Sequence, residues 1–365
     1  MLIGIDGNEA NVERRVGVSV YALNLLKYFA KASSTDLKFR IYLRRDPLPD
    51  LPKKNKNFDY DVVSGSFLWS QIFLPLRLFQ QNDLDVFFSP AHYLPRFCPA
   101  PTAVTIHDLA YLYFPGDFLK SDLMKLRDWT KYSVGKAQKI IAVSKTTKKD
   151  VVKAYDVDQN KIEVIYNGYE KKHLPSESKL KYDVGNNPYL LYVGTLQPRK
   201  NITTLIEAFY KFKQIHSQFK LVVAGKKGWL YEKIFNLVTE LGLEDDVYFT
   251  DYVSDNQLIF LYKNAFCFIM PSLYEGFGIP PLEAMSFGCP VVSSISSSLP
   301  EVAGDAALYF DPKNPVDLVE KLKDLNDNPD LRKRLIKKGA ERVKQFSWTD
   351  CAEKTLKVIK SVASK

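Results

Sequence analysis

The feature that most constrains the fold of this 365-residue chain is a regular alternation of short apolar runs with amphipathic stretches. In the first half the apolar runs cover residues 2–6, 39–42, 85–89, 102–107, 140–144 and 161–167. In the second half they cover residues 189–194, 219–225, 247–250, 265–270, 290–294 and 307–310. Strands that alternate with helices form parallel sheets covered on both faces. The sequence therefore predicts an α/β fold.

The alternation occurs twice, and 365 residues exceed the size at which a single core stops growing, so we expect two domains. Residues 169–178 are polar and patternless, which is typical of a linker, and the boundary is placed near residue 175. We predict two doubly wound, Rossmann-like domains facing a central cleft, followed by a closing helix. Their ranges are residues 1–175, 176–345 and 346–365.

Composition limits the protein class. The chain is 46% hydrophobic and 25% charged, as in globular proteins, and its apolar runs are too short to span a bilayer. The amino terminus enters a strand-like run with no basic region before it, which argues against a signal peptide and for a cytoplasmic protein. Four scattered cysteines, without paired spacing, indicate neither a disulfide framework nor a zinc site.

The net charge of +9 suits nucleic acid, an anionic membrane or phosphorylated ligands, but most lysines occupy ordinary solvated positions. We expect no nucleic-acid partner. Residues 67–79 are strongly apolar and residues 118–139 mix basic with apolar side chains, so both can contact an anionic bilayer. The alternative is that both are first-domain helices that cover a sheet.

Two carboxylates, Glu275 and Glu283, flank a glycine-bracketed turn between a predicted strand and a predicted helix. Pro280 and Pro281 suit the first turn of that helix. Such a turn lies at the carboxyl edge of a parallel sheet, where α/β proteins place ligands. One carboxylate can reach the reacting part of a ligand while the other holds a ribose. The alternative for Glu283 is charge complementarity with the helix start.

A second candidate loop runs from Gly194, at the end of a strand, to two adjacent cations, Arg199 and Lys200. Arginine grips phosphate with two donors and lysine acts as a point charge, so the pair suits a diphosphate. Cations at a helix start oppose the helix dipole, which favours an anion beside them. The alternative is a pair of solvated cations.

Two further loops follow strands of the second half. Lys226 either adds positive potential to the same edge or is an exposed loop lysine. Backbone groups near Tyr252 and Val253 can meet a flat nucleobase, although a plain turn is the simpler interpretation.

In the first half, Gly17 follows the first strand and precedes a helix whose N–H groups can meet a phosphate. His107 and Asp108 end another strand, where the histidine binds a ligand hydroxyl or caps a loop. The four histidines show no metal-ligand spacing, and we expect no metal site. The absence of G-x-S-x-G, P-loop and dinucleotide motifs disfavours a hydrolase, a kinase-type ATPase and an NAD enzyme.

Together these residues resemble the family-4 retaining glycosyltransferases of GT-B fold. The Glu275-to-Glu283 pair matches the E-x7-E element of that family, and residues 194–201 resemble its diphosphate-binding segment. Further segments that resemble the family are residues 141–144, 164–168 and 346–348.

The resemblance implies that Arg199 and Lys200 neutralise the leaving nucleoside diphosphate, that Glu275 contacts sugar hydroxyls and that Glu283 holds the ribose. It implies that His107 meets the sugar from the other domain. Backbone N–H groups that would face phosphate and sugar belong to Phe277, Gly278 and Ile279. Gly17 stands alone where many relatives carry two adjacent glycines.

The family mechanism uses no metal or other cofactor and keeps the anomeric configuration. The sequences of both motifs are most similar to those of mannosyltransferases of polysaccharide assembly. This resemblance favours GDP-mannose as the donor. The alternative donor is UDP-glucose or another UDP-sugar. The expected acceptor is a carbohydrate or lipid-linked hydroxyl. A UDP-sugar 2-epimerase and a non-catalytic nucleotide-sugar-binding protein are the other classes considered.

Overall fold

The computed structural model describes residues 1–65, 68–171, 187–228 and 230–363. Contacts between residues divide the chain into two compact units. The first unit consists of Met1–Tyr113, Phe118–Gly168 and Phe346–Lys365, and the second of Phe114–Asp117 and Tyr169–Gln345. The boundary predicted near residue 175 lies outside the described residues.

The first unit is built on a parallel sheet. Its described strands are β1 (Leu2–Asp6), β2 (Lys38–Leu43), β3 (Phe58–Val62), β4 (Val86–Ser89), β5 (Thr102–Ile106), β6 (Lys139–Ala142) and β7 (Ile162–Val164). They lie in the order β3-β2-β1-β4-β5-β6-β7. The strand β3 is absent from the apolar runs of the sequence, because Asp59 and Asp61 interrupt its apolar pattern. A strand at the edge of a sheet tolerates such polar residues.

Helices cover both faces of this sheet. They are α1 (Val18–Ala32), α2 (Phe73–Gln81), α3 (Ala110–Tyr113), α4 (Lys120–Lys136) and α5 (Lys145–Tyr155). Alternate residues of one strand enter different cores, since Val86 and Phe88 pack on one face and Phe87 on the other. Burial on both faces explains why these strands are continuous apolar runs.

The second unit contains another parallel sheet with helices around it. Its described strands are β8 (Tyr189–Val193), β9 (Lys220–Ala224), β10 (Val247–Asp251), β11 (Cys267–Met270), β12 (Val291–Ser294) and β13 (Ala307–Phe310). Their order is β10-β9-β8-β11-β12-β13. The helices are α6 (Ile202–Lys213), α7 (Glu232–Glu240), α8 (Asp255–Asn264), α9 (Pro280–Ser286), α10 (Leu299–Ala303), α11 (Pro315–Asp327) and α12 (Pro329–Val343).

The last helix, α13 (Trp348–Ala363), belongs to the first unit. Its buried residues Cys351 and Ile359 join the core that also contains Ile3 and Phe29. Gly168 allows this packing, because a Cβ at that position would lie 2.3 Å from the backbone nitrogen of Trp348.

Each sheet has one point at which the direction of strand addition reverses, between β1 and β4 in the first and between β8 and β11 in the second. Loops that leave the carboxyl ends of such neighbouring strands diverge and form a ligand-binding crevice in doubly wound folds. The predicted α/β fold with Rossmann-like sheets is confirmed. The candidate loops at Gly17, at Arg199 and at Glu275 follow β1, β8 and β11, at these reversal points. The loops of His107, Lys226 and Tyr252 follow β5, β9 and β10 instead.

Candidate functional site

A buried carboxylate and two cations meet at the β8–β11 edge of the second unit. The Lys200 Nζ atom lies 2.5 Å from Glu275 Oε1, and the Arg199 Nη1 atom lies 3.6 Å from Glu275 Oε2. The three side chains are only 10–17% exposed. Residues that are 75 positions apart in the chain therefore form one charged cluster.

Local structure brings the two cations to this edge. They lie on a short 3-10 turn, Pro198–Lys200, between β8 and α6. The backbone of Arg199 accepts a hydrogen bond from Leu273 N at 2.8 Å, and its Nη1 atom donates to Tyr274 O at 3.2 Å. Its Nε atom is buried and has no hydrogen-bond partner among the described residues.

The electrostatics of Glu275 favour the ionised form. Burial alone would raise the pKa of this carboxyl group, but the charges of Lys200 and Arg199 and hydrogen bonds from Lys200 and Ser272 lower it below its ordinary value. The cluster therefore holds two positive charges and one negative charge, and its net positive charge suits an anion.

Serines that the sequence analysis did not select hold the Glu275 loop. Ser272 Oγ donates to Glu275 Oε1 at 2.7 Å, while Ser297 Oγ accepts from Glu275 N at 2.8 Å. Ser298 Oγ lies 2.9 Å from Glu275 O and 2.8 Å from Phe277 O. The serine-rich run at residues 293–298 was the available signal, but single serines seldom indicate which distant backbone they bind.

Glu283, the second glutamate of the pair, lies in the first turn of α9, which begins at the two prolines as predicted. Its Oε2 atom accepts a hydrogen bond of 3.0 Å from the hydroxyl of Tyr262 on α8. No sequence motif marks Tyr262, which has the pattern of an ordinary apolar-face residue of a helix.

The turn between the two glutamates presents backbone donors. Gly278 has a φ of 95°, a conformation that favours glycine, and a Cβ there would lie 2.7 Å from the Leu299 side chain. Within the described part of the chain, the N–H groups of Gly278 and Ile279 donate no hydrogen bond. The side chain of Phe277 is 5% exposed and anchors the turn.

The loops after β8 and β9 pack backbone against backbone. Gly194 N donates to Ala224 O at 2.9 Å, and a Cβ on Gly225 would lie 1.9 Å from Gly194 O. The next loop is joined to them by a hydrogen bond of 3.0 Å from Gly225 N to Asp251 O. Only glycine permits this approach, which brings the loop of Arg199 beside that of Lys226.

An exposed aromatic platform lies at the end of β10. Tyr252 is 64% exposed, and the Lys226 ammonium lies 5.2 Å from the centre of its ring. Val253 follows it and is half-buried. The flat ring of Tyr252 can stack on a nucleobase, and the Lys226 ammonium can polarise that base.

His107 lies at the carboxyl end of β5 in the first unit and is 7% exposed. Its Nε2 atom is 2.8 Å from Pro90 O, and its ring packs edge-on against Tyr21, 4.9 Å away. Burial, followed by the charge of His92, lowers the pKa of His107 to about 4. The ring is therefore neutral at pH 7. A carbonyl oxygen can only accept a hydrogen bond, so Nε2 carries the proton. The Nδ1 atom can then accept a hydrogen bond from a ligand hydroxyl.

The other two first-unit candidates are close to this histidine in the chain or the fold. Asp108 Oδ1 accepts a hydrogen bond of 2.9 Å from Ala110 N, so part of its role is to cap α3. Gly17, with a φ of 45°, immediately precedes α1, the helix that carries Tyr21. A Cβ on Gly17 would meet nothing within 4 Å, so space next to this turn is open.

Further polar residues, which no sequence motif marks, lie at the same edge of the first sheet. Burial raises the pKa of Asp6, at the end of β1, to about 6 and also raises that of Glu9. The His92 ring is 5.8 Å from the His107 ring, and its buried Nδ1 atom has no hydrogen-bond partner in the described ranges. Carboxylates and neutral imidazoles at such an edge are suited to hydroxyl groups.

Two negative findings apply to the described residues. No group of three or more His, Cys, Asp or Glu side chains could hold a metal ion. No helix is long and apolar enough to cross a membrane.

Comparison with known families assigns both halves of the chain. Residues 177–342 match the family "Glycosyl transferases group 1", and residues 16–172 match "Glycosyltransferase Family 4".

Among the curated relatives, O-antigen chain mannosyltransferase B of Escherichia coli is 32% identical over 284 residues, which are 75% of this chain and 74% of that protein. O-antigen chain mannosyltransferase RfbU of Salmonella typhimurium is 33% identical over 232 residues, 63% of this chain and 62% of that protein.

Solved glycosyltransferase structures share the fold along almost the whole chain. Sucrose-phosphate synthase from Thermosynechococcus elongatus superposes with a TM-score of 0.76 at 19% identity and covers 100% of this chain and 99% of its own. HepE from Anabaena, solved in complex with UDP and glucose, gives a TM-score of 0.74 at 18% identity, with 99% of each chain covered. The chain therefore belongs to the group 1 glycosyltransferases, with a family-4 region in its first half and the GT-B fold.

Proposed function

We propose that this glycosyltransferase moves mannose from GDP-mannose to an acceptor hydroxyl with retention of configuration, in the assembly of a polysaccharide or glycolipid. The observation that carries the proposal is the buried cluster of Arg199, Lys200 and Glu275, which suits a sugar diphosphate. The choice of mannose is supported by two relatives that are named O-antigen chain mannosyltransferases.

In this proposal the chemistry depends on charge that develops on the leaving diphosphate. Arg199 and Lys200 stabilise that charge, which exists more fully in the transition state than in the bound donor. The acceptor hydroxyl attacks the face from which the diphosphate departs, and a phosphate oxygen takes its proton. Glu275 binds donor-sugar hydroxyls rather than acting as a base, because its lowered pKa makes it a weak proton acceptor. No metal ion or other cofactor takes part.

The remaining residues bind the donor. Glu283 holds the ribose, while Tyr252, Val253 and Lys226 meet the nucleobase end. Backbone groups at Gly194, Phe277, Gly278 and Ile279 contact phosphate and sugar. The Nδ1 atom of His107 accepts a hydrogen bond from a sugar hydroxyl.

The first unit contributes residues that can contact the acceptor or a phosphate of the donor. Gly17 lies next to open space suited to a phosphate or acceptor group, and Asp108 lies beside His107. Asp6, Glu9 and His92, at the same edge, are available to an acceptor hydroxyl.

The experiment that tests this function is a product assay with defined donors and acceptors. The chain is incubated with GDP-mannose, UDP-glucose and other UDP-sugars in the presence of mannose-terminated acceptors, with and without EDTA. NMR of the product gives the anomeric configuration. Transfer from GDP-mannose with an α-linkage, unaffected by EDTA, supports the proposal. Inversion, or dependence on a divalent metal, contradicts the proposed mechanism.

UDP-glucose or another UDP-sugar is the alternative donor, favoured by the UDP-bound HepE structure that shares the fold. Preferential turnover of a UDP-sugar in the same assay would replace mannose in the proposal. Formation of an isomeric nucleotide sugar without acceptor would indicate an epimerase. Binding without turnover across the acceptor panel would indicate a non-catalytic nucleotide-sugar-binding protein.

We also propose that the first unit contacts an anionic membrane that presents a lipid-linked acceptor. The support is a row of exposed apolar residues at the start of and along α2: Ile72 is 46% exposed, Leu76 58% and Phe79 55%. Basic side chains of α4 add attraction to anionic headgroups. Co-sedimentation with phosphatidylglycerol vesicles but not phosphatidylcholine vesicles, reduced by Leu76→Ser with Phe79→Ser, supports this contact. Equal sedimentation with both lipids contradicts it. On this proposal the protein is cytoplasmic and peripheral at the inner membrane face.

A further inference from the structure

A buried tyrosine contacts the carboxylate to which the proposed function assigns the ribose. Tyr262 lies on α8 and is 1% exposed. Its hydroxyl donates a hydrogen bond of 3.0 Å to Oε2 of Glu283, which lies 21 residues further along the chain. Glu283 itself is half-buried.

The ring of Tyr262 is held between a strand of the sheet and the end of α9, the helix that carries Glu283. Phe268 on β11 packs edge-on at 5.7 Å, and Phe287, which directly follows α9, stacks at 6.2 Å with its plane tilted by 12°. A ring held between two aromatic side chains keeps its hydroxyl in one place. The donor is therefore positioned before any ligand arrives.

The hydrogen bond is also chemically one-directional. Burial, followed by the negative charge of Glu283, raises the pKa of Tyr262 well above its ordinary value, so the phenol stays protonated and donates. An ionised carboxylate accepts about four hydrogen bonds. The bond from Tyr262 uses one of these acceptor positions and restricts the rotation of the Glu283 carboxylate.

We propose that Tyr262 is a positioning residue that orients the Glu283 carboxylate for the ribose hydroxyls of the nucleotide. This inference rests on the proposed function, because it takes from it the assignment of Glu283 to the ribose. Tyr262 itself does not touch the substrate.

The test compares binding of a ribonucleotide with binding of its dideoxy analogue. Tyr262→Phe removes only the hydroxyl, and Tyr189→Phe is the matched control. Tyr189 is 4% exposed, and its hydroxyl donates to Leu261 O at 2.7 Å, beside Tyr262 but not to Glu283. The wild-type protein and both variants are titrated by calorimetry with GDP and 2′,3′-dideoxy-GDP, and with UDP and 2′,3′-dideoxy-UDP.

Wild type and Tyr189→Phe are expected to bind the ribonucleotide roughly tenfold more tightly than the dideoxy form, the scale of one hydrogen bond to a charged group. In Tyr262→Phe this preference is expected to fall to about twofold or threefold, while affinity for the dideoxy form stays near wild type. The donor KM should rise more than kcat falls, because the lost contact is made equally in the ground and transition states.

Four results would overturn the inference, and they are distinguishable. An unchanged ribose preference in Tyr262→Phe shows that the hydroxyl does not orient Glu283. An equal loss of preference in Tyr189→Phe shows a general packing effect. A wild-type protein that binds GDP or UDP without preferring the ribose form removes the role of Glu283 and with it the proposed nucleotide geometry. Replacement of Tyr262 by 4-aminophenylalanine, which keeps a donor at the same place, should retain the preference, and its loss there would also contradict the inference.

Discussion

The ammonium group of Lys200 lies 2.5 Å from Oε1 of Glu275, in a contact between two side chains that are 14% and 10% exposed. Arg199 approaches the other oxygen of the same carboxylate. A sugar diphosphate that binds these cations must therefore compete with a carboxylate that already partly neutralises them. Glu275 thus affects both the stability of the site and its affinity for anions.

Replacing Glu275 with Gln should lower stability and tighten diphosphate binding. Two nearly buried cations lose their counter-charge, so we expect the free energy of unfolding to fall by about 3–5 kcal/mol. The same uncompensated cations should bind GDP more tightly, while turnover falls because a contact to the donor sugar is lost. Urea unfolding and calorimetric titration with GDP measure the two effects.

A second carboxylate between two lysines provides the control for this variant. Asp246 pairs with Lys213 at 2.8 Å and Lys220 at 2.7 Å, at the opposite end of β9 from the candidate site. Asp246→Asn should destabilise the fold without changing GDP affinity. Weaker GDP binding by Glu275→Gln than by wild type would contradict the competition between carboxylate and diphosphate.

Replacing Lys200 with Ala should raise the barrier to transfer by about 2–4 kcal/mol, the scale of losing one donor to a developing negative charge. Steady-state rates at saturating donor measure this loss. Lys220→Ala, which also removes an ion-paired lysine, should leave turnover unchanged. Near-normal turnover of a folded Lys200→Ala variant would remove this residue from the mechanism.

Stability should depend on pH through Asp6. Burial raises the pKa of Asp6 in the folded protein to about 6, against an ordinary value of 3.8. Below pH 3.8 both states hold the proton, whereas between pH 3.8 and 6 only the folded state keeps it. The contribution of Asp6 to the free energy of unfolding therefore falls as pH rises through that window. Above pH 6 the full loss of stability has occurred.

The variant Asp6→Asn removes this titration. We expect it to be more stable than wild type by about 1–3 kcal/mol at pH 8 and equally stable near pH 3.5. Urea unfolding at intervals from pH 3.5 to 8 measures the difference between the two proteins. His107, whose lowered pKa acts in the opposite direction, is present in both and cancels. A difference that does not change with pH would exclude the burial of Asp6 as its cause.

Replacing Gly225 with Ala should be severely destabilising. A Cβ at this position would lie 1.9 Å from the backbone oxygen of Gly194, and neither backbone can move without opening the sheet. We expect a loss above about 3 kcal/mol. Gly242→Ala is the matched control, because Gly242 has a φ of 63° but no atom within 4 Å of an added Cβ. In Gly242→Ala the positive φ alone should lower the free energy of unfolding by about 1 kcal/mol. Similar melting temperatures for the two variants would show that the loops can separate.

Much of the fold was predictable because strands of a parallel sheet are continuous apolar runs, as at Leu2–Asp6 and Ala307–Phe310, where the predicted and observed limits coincide. The strand Phe58–Val62 was not predictable in this way. Its aspartates occupy an edge of the sheet, and edge positions depend on which strand pairs last rather than on local sequence.

The sequence by itself determined the two parallel-sheet halves, the family, and the positions of Arg199, Lys200, Glu275 and Glu283, because each follows a strand within a recognisable motif. Only the tertiary structure decided that Lys200 and Arg199 share one buried carboxylate, that serines near residue 297 hold its loop and that Tyr262 reaches Glu283. The hydrogen bonds among those contacts join residues 21 to 75 positions apart. Such pairs leave no local periodicity, since they depend on how the strands order themselves in the sheet and on which loops that order brings together.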